Sequence, residues 1–558
     1  MIPTAWSQVY DPFSNTVLST AVAALPIILL LLMIASNKIK TYWAAAIALV
    51  LTGLVAVFAF HMPADMAVKS AALGAVDGFC KIGWIILNVL FLYRLTVEKG
   101  LFAVFQHSLG RITNDRRLQI LLICFCFGAF FEGAAGFGTP VAVCAAMMMG
   151  LGFSPLTSAA MALFANTATV AFGAIGAPII GLSASSGIDT MTLGKAIGIQ
   201  SLPFTLLMPL FMLWVFCGWK KTLAVWPAIV VAAVSFAIPQ FIFSYYISPF
   251  IVDVAAGGIS LACFVGFMRV WKPAEIMTDP TARYADDSHS DMKPTPPLAA
   301  LPTGQQVFNA WLPWIILCVV LAFWASDYWK HLASLIYSPK FPIPGLDKMI
   351  LAVPPVVRVA APQAGVFSFT LLAYSGTGVL LSGLIAGTIM GFSPMALVTR
   401  WFKTIYAVRY ALITITLMLS LATLTGSSGL QGTLGLAFAA TGVLFPFFSA
   451  VLGWLGVAAT GSDTSANVLF GGLQVVAANK AGFNPVLMAA ANSTGGCMGK
   501  IIAISSLVIA VAATGWTGSE GKILRFVFPY AVFWGVLVGI MVMLQAYVFP
   551  WTVPPMPM

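Results

Sequence analysis

The sequence predicts an all-α polytopic membrane protein, with about twelve transmembrane helices plus two re-entrant hairpins in an inverted-repeat arrangement. Three observations predict it. Hydrophobic residues make up 60% of the 558 and charged residues 8%, and the mean hydropathy of +0.98 lies outside the range of soluble domains. The apolar chain divides into runs near bilayer length, with the basic residues between them. Two runs are interrupted by glycines and an acid: FFEGAAGFGTPVAV (Phe130 to Val143) and GWLGVAATGSDTSAN (Gly453 to Asn467). In lipid an unpaired backbone amide is costly, so glycine-rich chain at membrane depth belongs where protein or a watery cavity surrounds it. Paired breaks in corresponding halves mark a transporter's binding site.

Taken in order, the N-terminus MIPTAWSQVYDPFSN has no basic segment and the first lysine is Lys38, so no cleavable signal peptide is expected. Spans follow near 16–35, 43–60 and 73–95. Lys38 and Lys40 follow the first, and Arg94, Lys99, Arg111, Arg116 and Arg117 follow the third. The positive-inside rule places both clusters in the cytoplasm and the N-terminus outside. The first interrupted run then reads as a hairpin opening to the cytoplasm. Spans near 156–178, 195–218, 224–246 and 249–268 complete an N-terminal half, 1–268, with Lys220 and Lys221 inside. Residues 269–306 are polar and proline-rich, mixing Arg269, Lys272, Arg283 and Lys293 with Glu275, Asp279, Asp286, Asp287 and Asp291, and are expected to form a mobile cytoplasmic linker.

The C-terminal half, 307–558, begins with spans near 307–325, 366–390 and 406–425, and residues 326–365 are expected outside and partly structured. Arg400, Lys403 and Arg409 fall inside. The second interrupted run therefore starts from the outside, and its hairpin opens to the opposite face from the first. Spans near 486–512 and 526–549 flank Lys522 and Arg525 and leave the C-terminus outside.

The halves share a weak pattern. Each has an acid in a glycine-rich break, a GF-x-P turn, and an Asn/Thr-rich break in the next span: Glu132, Gly152 to Pro155 and Asn166 to Thr169, against Asp463, Gly482 to Pro485 and Asn492 to Thr494. With hairpins entering from opposite faces this fits an inverted repeat. The alternative is two unrelated interfaces where small residues let helices approach.

Interrupted helices expose amide groups and dipole ends that suit an anion. Thr139, Asn166, Thr167, Ser465, Asn467, Asn492, Ser493 and Thr494 can add donors for a carboxylate and a neighbouring hydroxyl. Glu132 and Asp463 are intramembrane carboxylates, which are expensive when charged and point to proton binding. The alternative role for Asp463 is to cap a helix that starts at Thr464, and for Glu132 a structural hydrogen bond or an ion pair with a buried cation. Lys500 either faces the anion or neutralises Asp463. Asp77 and Lys81, one turn apart, pair with each other. Arg358 lies in an external vestibule or at the lipid interface.

Other chemistries find little support. The eight cysteines (Cys80, Cys124, Cys126, Cys144, Cys217, Cys263, Cys318, Cys497) lie in apolar segments without metal-ligand spacing and read as buried thiols. His61, His107, His289 and His331 are scattered, so no metal site and no cofactor are expected. The net charge of +10 orients the spans rather than binding nucleic acid. A membrane enzyme would need a nucleophile and base or a metal cluster, and a channel a continuous polar lining.

At CFGAFFEGAAGFGTPVAV, NTATVAFGAIGAPI, LGWLGVAATGSDTSANVLF and AANSTGGCMGKII the chain resembles the bacterial L-lactate permease family, which includes glycolate permeases, over nearly its whole length. The resemblance implies a transporter of the bacterial inner membrane that imports lactate, glycolate and similar 2-hydroxymonocarboxylates with protons, and no enzyme activity. By matching motif it implies hairpin tips at Gly136, Gly138 and Thr139 and at Ser462, Asp463, Thr464, Ser465 and Asn467. It also implies unwound segments at Asn166 and Thr167 and at Asn492, Ser493 and Thr494. IIAISS after Lys500 and TGSSGLQG (Thr425 to Gly432) depart from the pattern of the lactate members, which bears on substrate preference. An anion entering an inside-negative cell climbs about 2.3 kcal/mol per charge per 100 mV, so a co-transported cation is needed: a proton on Glu132 or Asp463, or sodium.

Overall fold

The structure is a computed structural model that describes residues 5–35, 39–101, 104, 112–134, 136, 138–279, 303–357, 359–516 and 519–555. Lys38, His107, Arg111, Arg358 and the part of the expected linker holding Arg283, Asp286, Asp287, His289, Asp291 and Lys293 lie outside the described residues. Among those described, twelve helices are long and apolar enough to cross a membrane. A bent pair, Pro155–Asn166 with Val170–Ser186 at 61°, raises the number to thirteen if it is one span.

In chain order the helices are α1 (Thr16–Ala35), α2 (Thr41–Ala59), α3 (Ala64–Glu98), α4 (Arg116–Ala134), α5 (Thr139–Gly150), α6 (Pro155–Asn166) and α7 (Gly173–Ser186). Then come α8 (Thr190–Cys217), α9 (Trp226–Ile247), α10 (Val252–Val270), α11 (Gly304–Ala325), α12 (Ser375–Ile389) and α13 (Pro394–Ser427). The chain closes with α14 (Leu430–Ala439), α15 (Phe445–Thr460), α16 (Asp463–Ala481), α17 (Pro485–Gly499), α18 (Ile504–Thr514) and α19 (Glu520–Tyr547).

Sharp turns between helices reuse one piece of local chemistry. At Gly152, Gly391 and Gly482 the backbone turns left-handed, with φ of +88°, +79° and +78°, a conformation only glycine adopts freely. The following Phe153, Phe392 and Phe483 donate their amides back to Met148, Gly387 and Ala478, closing the helix end. Ser154, Ser393 and Asn484 then cap the next helix, each followed by proline at its first position. The motif appears three times, so it is helix-turn chemistry and no special mark of two matched halves.

The expected span 366–390 needs correcting. Val366–Ser368 is a short strand paired with Lys340–Pro342, and the helix after it, Ser375–Ile389, has 15 residues. Phe367 and Phe369 gave the run its hydropathy, but their rings contact one another in the strand segment. Trp6–Ser7 pairs with Ile350 and Leu351, tying the N-terminal segment to the partly structured region between α11 and α12.

The core lies around the two interrupted runs and the helices packed on them. Every described residue from 117 to 134, from 157 to 179, and from 486 to 503 is buried, while α1, α2 and α19 present many exposed Val, Leu, Ile and Phe side chains, as lipid-facing helices should. At the start of α4 an ion pair anchors the buried run. Asp115 accepts from the Arg117 amide at 2.9 Å and pairs with its guanidinium at 2.6 Å. Arg117 also donates to the carbonyls of Lys221 and Glu275. All eight cysteines are free thiols.

Candidate functional site

The first break begins where α4 ends at Ala134. Gly136 and Gly138 have φ of +59° and +78°, and α5 leaves from Thr139, of which only the backbone is described. A Cβ added at Gly136 would lie 2.6 Å from that of Ala174, so the tip rests on the second irregular segment. That segment opens at the end of α6. Thr167 to Thr169 turn, Val170–Phe172 form one 3-10 turn, and Ala174, Ile175 and Gly176 take φ of +46°, +56° and +73°. Two of these three are not glycine, and such conformations cost of order 1–3 kcal/mol each and persist only where surrounding structure holds them. Into this opening comes Glu132. Its Oε2 accepts from Asn166 Nδ2 at 2.8 Å, and its other oxygen lies over the bare Cα of Gly173.

The second break is organised differently. α15 ends at Thr460, Gly461 turns with φ of +72°, and Ser462 caps α16 by accepting from the Ser465 amide. Ser462, and not Asp463, is therefore the cap. Asp463 is freed to accept from Asn467 Nδ2 at 3.0 Å and Ser493 Oγ at 2.7 Å through one oxygen, and the other oxygen has no partner among the described residues. A relay runs onward: Asn492 donates to Asn467 Oδ1 at 2.9 Å, Gln474 to Asn492 Oδ1 at 3.1 Å, and Ser449 to Gln474 Oε1 at 2.8 Å.

Here a second expectation is corrected. Asn492, Ser493 and Thr494 are not unwound; they lie inside the continuous helix α17, and the chain departs from α geometry only at Lys500–Ile502, a 3-10 turn. The glycines around them serve close packing. Gly453 lies on the Asn492 carbonyl, Gly495 on that of Ala450 and Gly499 on that of Trp454, so α15 and α17 touch backbone to backbone. Small residues at a helix contact permit that approach.

Several bonds join the two breaks. Asn467 Nδ2 reaches the Pro178 carbonyl at 3.2 Å, and Ser185 Oγ donates to the Asn467 carbonyl at 2.7 Å. Thr494 Oγ1 donates to Gln200 Oε1 at 2.9 Å. Gly138 lies against Ile509 and Gly461 against Ser505, so both tips abut α18. Lys500 is buried, donates to the Gly461 carbonyl, and interacts electrostatically with both Glu132 and Asp463.

Of the expected donors, several are already used by the protein. Thr167 Oγ1 donates to the Phe164 carbonyl, Thr494 to Gln200, and the Asn166 amide to Glu132. Thr464 and Ser465 are buried in the first turn of α16, with the Thr464 methyl close to Gly181. Sequence reasoning missed Gln200, Gln474 and Ser449, whose amides and hydroxyl in apolar runs were the available signal. It also missed Asp253, an acid in the run IVDVAAGG. A separate polar cavity of about 400 Å³ is lined by Gln8, Ser185, Gln363, Gln431 and Asn479 among others. Ser185 connects it to Asn467.

Broken helices with buried acids and amides meeting deep inside a many-helix membrane body define a membrane transport protein. The model of the L-lactate permease family matches residues 19–549, and the chain belongs to that family. It is 39% identical to an L-lactate permease of Salmonella typhimurium over 557 residues, covering 98% of this chain and all of that one. It is 40% identical to the glycolate permease GlcA of Escherichia coli over 552 residues, covering 98% of each. These relatives are named as permeases and not as enzymes. The solved structure of Neisseria gonorrhoeae MtrF covers 94% of this chain and 95% of that one at 13% identity and a TM-score of 0.48, a likeness too distant to speak to function.

Proposed function

We propose that the protein imports L-lactate and related 2-hydroxymonocarboxylates, glycolate among them, by proton symport across a bacterial inner membrane. The observation that carries this reading is the placement of two buried carboxylates, Glu132 and Asp463, at helix breaks, both acting electrostatically on the buried Lys500. A lone charge in lipid is costly and marks an ion pathway. Lys500 suits the substrate carboxylate, and Asn166 Oδ1, which has no partner among the described residues, suits its hydroxyl, while Asn467 and Asn492 would exchange a present bond to reach it. Gly136, Gly138, Thr139, Thr167, Thr464, Ser465, Ser493 and Thr494 would form the surrounding shell. A proton carried with each anion makes transport electroneutral, so an inside-negative potential no longer opposes uptake.

The proposed arrangement sets residues 1–268 against 307–558 as inverted repeats joined by a cytoplasmic linker, with both termini outside. The arms α4–α5 and α15–α16 would be re-entrant. α4 has 19 residues, about 28 Å at 1.5 Å per residue, so length alone allows it to cross. Its burial along the whole length supports a hairpin held inside the protein.

Proteoliposomes with an imposed pH gradient test this. Labelled lactate should accumulate above equilibrium when the outside is acid and should not respond to a sodium gradient. Accumulation driven by sodium alone would overturn proton coupling, and equilibration without accumulation on either gradient would overturn symport.

A further inference from the structure

Asp253, in the first turn of α10, is fully buried, and neither of its carboxylate oxygens has a hydrogen-bond partner among the described residues. An ionised carboxylate in that position would bear the full cost of desolvation with nothing to offset it. Its neighbour is Glu132, the acid of the first break. A Cβ added at Gly133 would lie 2.7 Å from that of Asp253, so Asp253 packs on the residue next to Glu132, and the two carboxyls act on one another electrostatically. Two glycines create this approach, Gly133 on α4 and Gly257 on α10, the latter lying against the Phe130 backbone.

The partners of the two acids differ. Glu132 has the Asn166 amide and the electrostatic influence of Lys500; Asp253 has no donor among the described residues. On the other elements packed against α10, Cys126 bonds to Ser260, two turns further along. Tyr245 faces Lys195, and Cys497 interacts electrostatically with Asp253. Among the described residues no basic side chain acts on Asp253 itself. Glu132, Asp253 and Asp463 are thus three buried acids, of which Glu132 and Asp463 act on the buried Lys500, and two neighbouring buried carboxyls do not both ionise readily.

We propose that Asp253 and Glu132 share one proton, which Asp253 holds in this conformation while Glu132 is ionised. When the site opens to water, a water between them carries the proton: the O–H bond of the Asp253 acid breaks, one forms on a Glu132 oxygen, Glu132 gives that proton up to water on the inner side, and the Asp253 carboxylate takes a new one from hydronium on the outer side. Asp253 is then a proton-carrying residue of the symport cycle. This rests on the symport reading above.

The test is Asp253→Asn in proteoliposomes, read as lactate counterflow and as accumulation driven by a pH gradient. Counterflow should persist, because the amide mimics the neutral acid, while pH-driven accumulation is lost. Accumulation equal to the parent protein's overturns the proposal, and so does loss of counterflow by a variant that is still folded. Should Asp253→Asn fail to reach the membrane, Asp253→Glu replaces it: retained accumulation with a shifted pH profile supports the proposal, and an unchanged profile overturns it. A parent protein that exchanges lactate without accumulating it on a pH gradient removes the symport reading, and this proposal with it.

Discussion

Around Glu132 the backbone itself is opened, with three consecutive residues in the left-handed region and one side-chain bond to the carboxylate. Around Asp463 the helices stay regular, and side chains carry the polar traffic in a relay from Ser449 through Gln474, Asn492 and Asn467 to the acid. Both arrangements place an acid in the protein interior. They store the cost differently: the first in backbone conformation, the second in close helix contact and satisfied hydrogen bonds. Removing an amide, or adding volume where α15 meets α17, should therefore damage the second break most.

The largest effect is expected at Gly453. Any side chain there meets the Asn492 carbonyl, and a backbone atom on a packed helix cannot step aside. Gly453→Ala should destabilise the protein by about 3 kcal/mol, the upper part of the usual range for overpacking. The expected readout is loss of the monodisperse peak in detergent size-exclusion and a lower melting temperature. A variant of normal stability would mean that α15 and α17 slide freely, and the contrast between the breaks would go.

Next come the two amides that serve the acids. Asn467→Ala removes bonds to Asp463, Pro178 and Ser493 and leaves the Asn492 amide only the Ala466 carbonyl at 3.5 Å. Each buried group left unpaired costs about 1–3 kcal/mol, so uptake per folded molecule should fall about 100-fold, at 1.4 kcal/mol per factor of ten. Asn166→Ala removes one bond, and Glu132 retains its interaction with Lys500, so a loss of about tenfold is expected on the same scale. Initial rates of lactate exchange in proteoliposomes measure both. Equal losses would show that the first break depends on side chains as heavily as the second.

This contrast marks how far the sequence could be read. Hydropathy located most spans, because about 20 apolar residues have few other uses. It failed at 366–390, where aromatic residues of a strand are as apolar as those of a helix. Glu132, Asp463 and their glycines were legible, since acids in apolar runs stand out. The state of the backbone beside them was not. NTATVAFGAIG unwinds and NSTGGCMGK stays helical until its lysine, although both mix small and polar residues. What decides is the surface on which the glycines land: the carbonyls of α15 hold α17 straight, a tertiary fact that local composition does not carry. Asp253 followed the same rule as Glu132, but without a glycine break beside it the signal was weaker.

The smallest effect is expected for a pair of charges away from both breaks. Lys81 and Asp77 sit one turn apart on α3, 2.6 Å from each other and about a third and a quarter exposed. Each therefore has a partner on its own helix and access to the surroundings, which the acids at the breaks lack. Pairs of this kind contribute about 0.3–0.5 kcal/mol. In a double-mutant cycle of Asp77→Asn and Lys81→Met, read as thermal stability in detergent, the coupling should stay within that range and lactate exchange should be unchanged. A coupling several times larger would mean that these charges are as short of solvation as Glu132 and Asp463. The cost of an ionised group would then no longer distinguish the breaks from the rest of the membrane body, and the choice of the two acids would lose its physical basis.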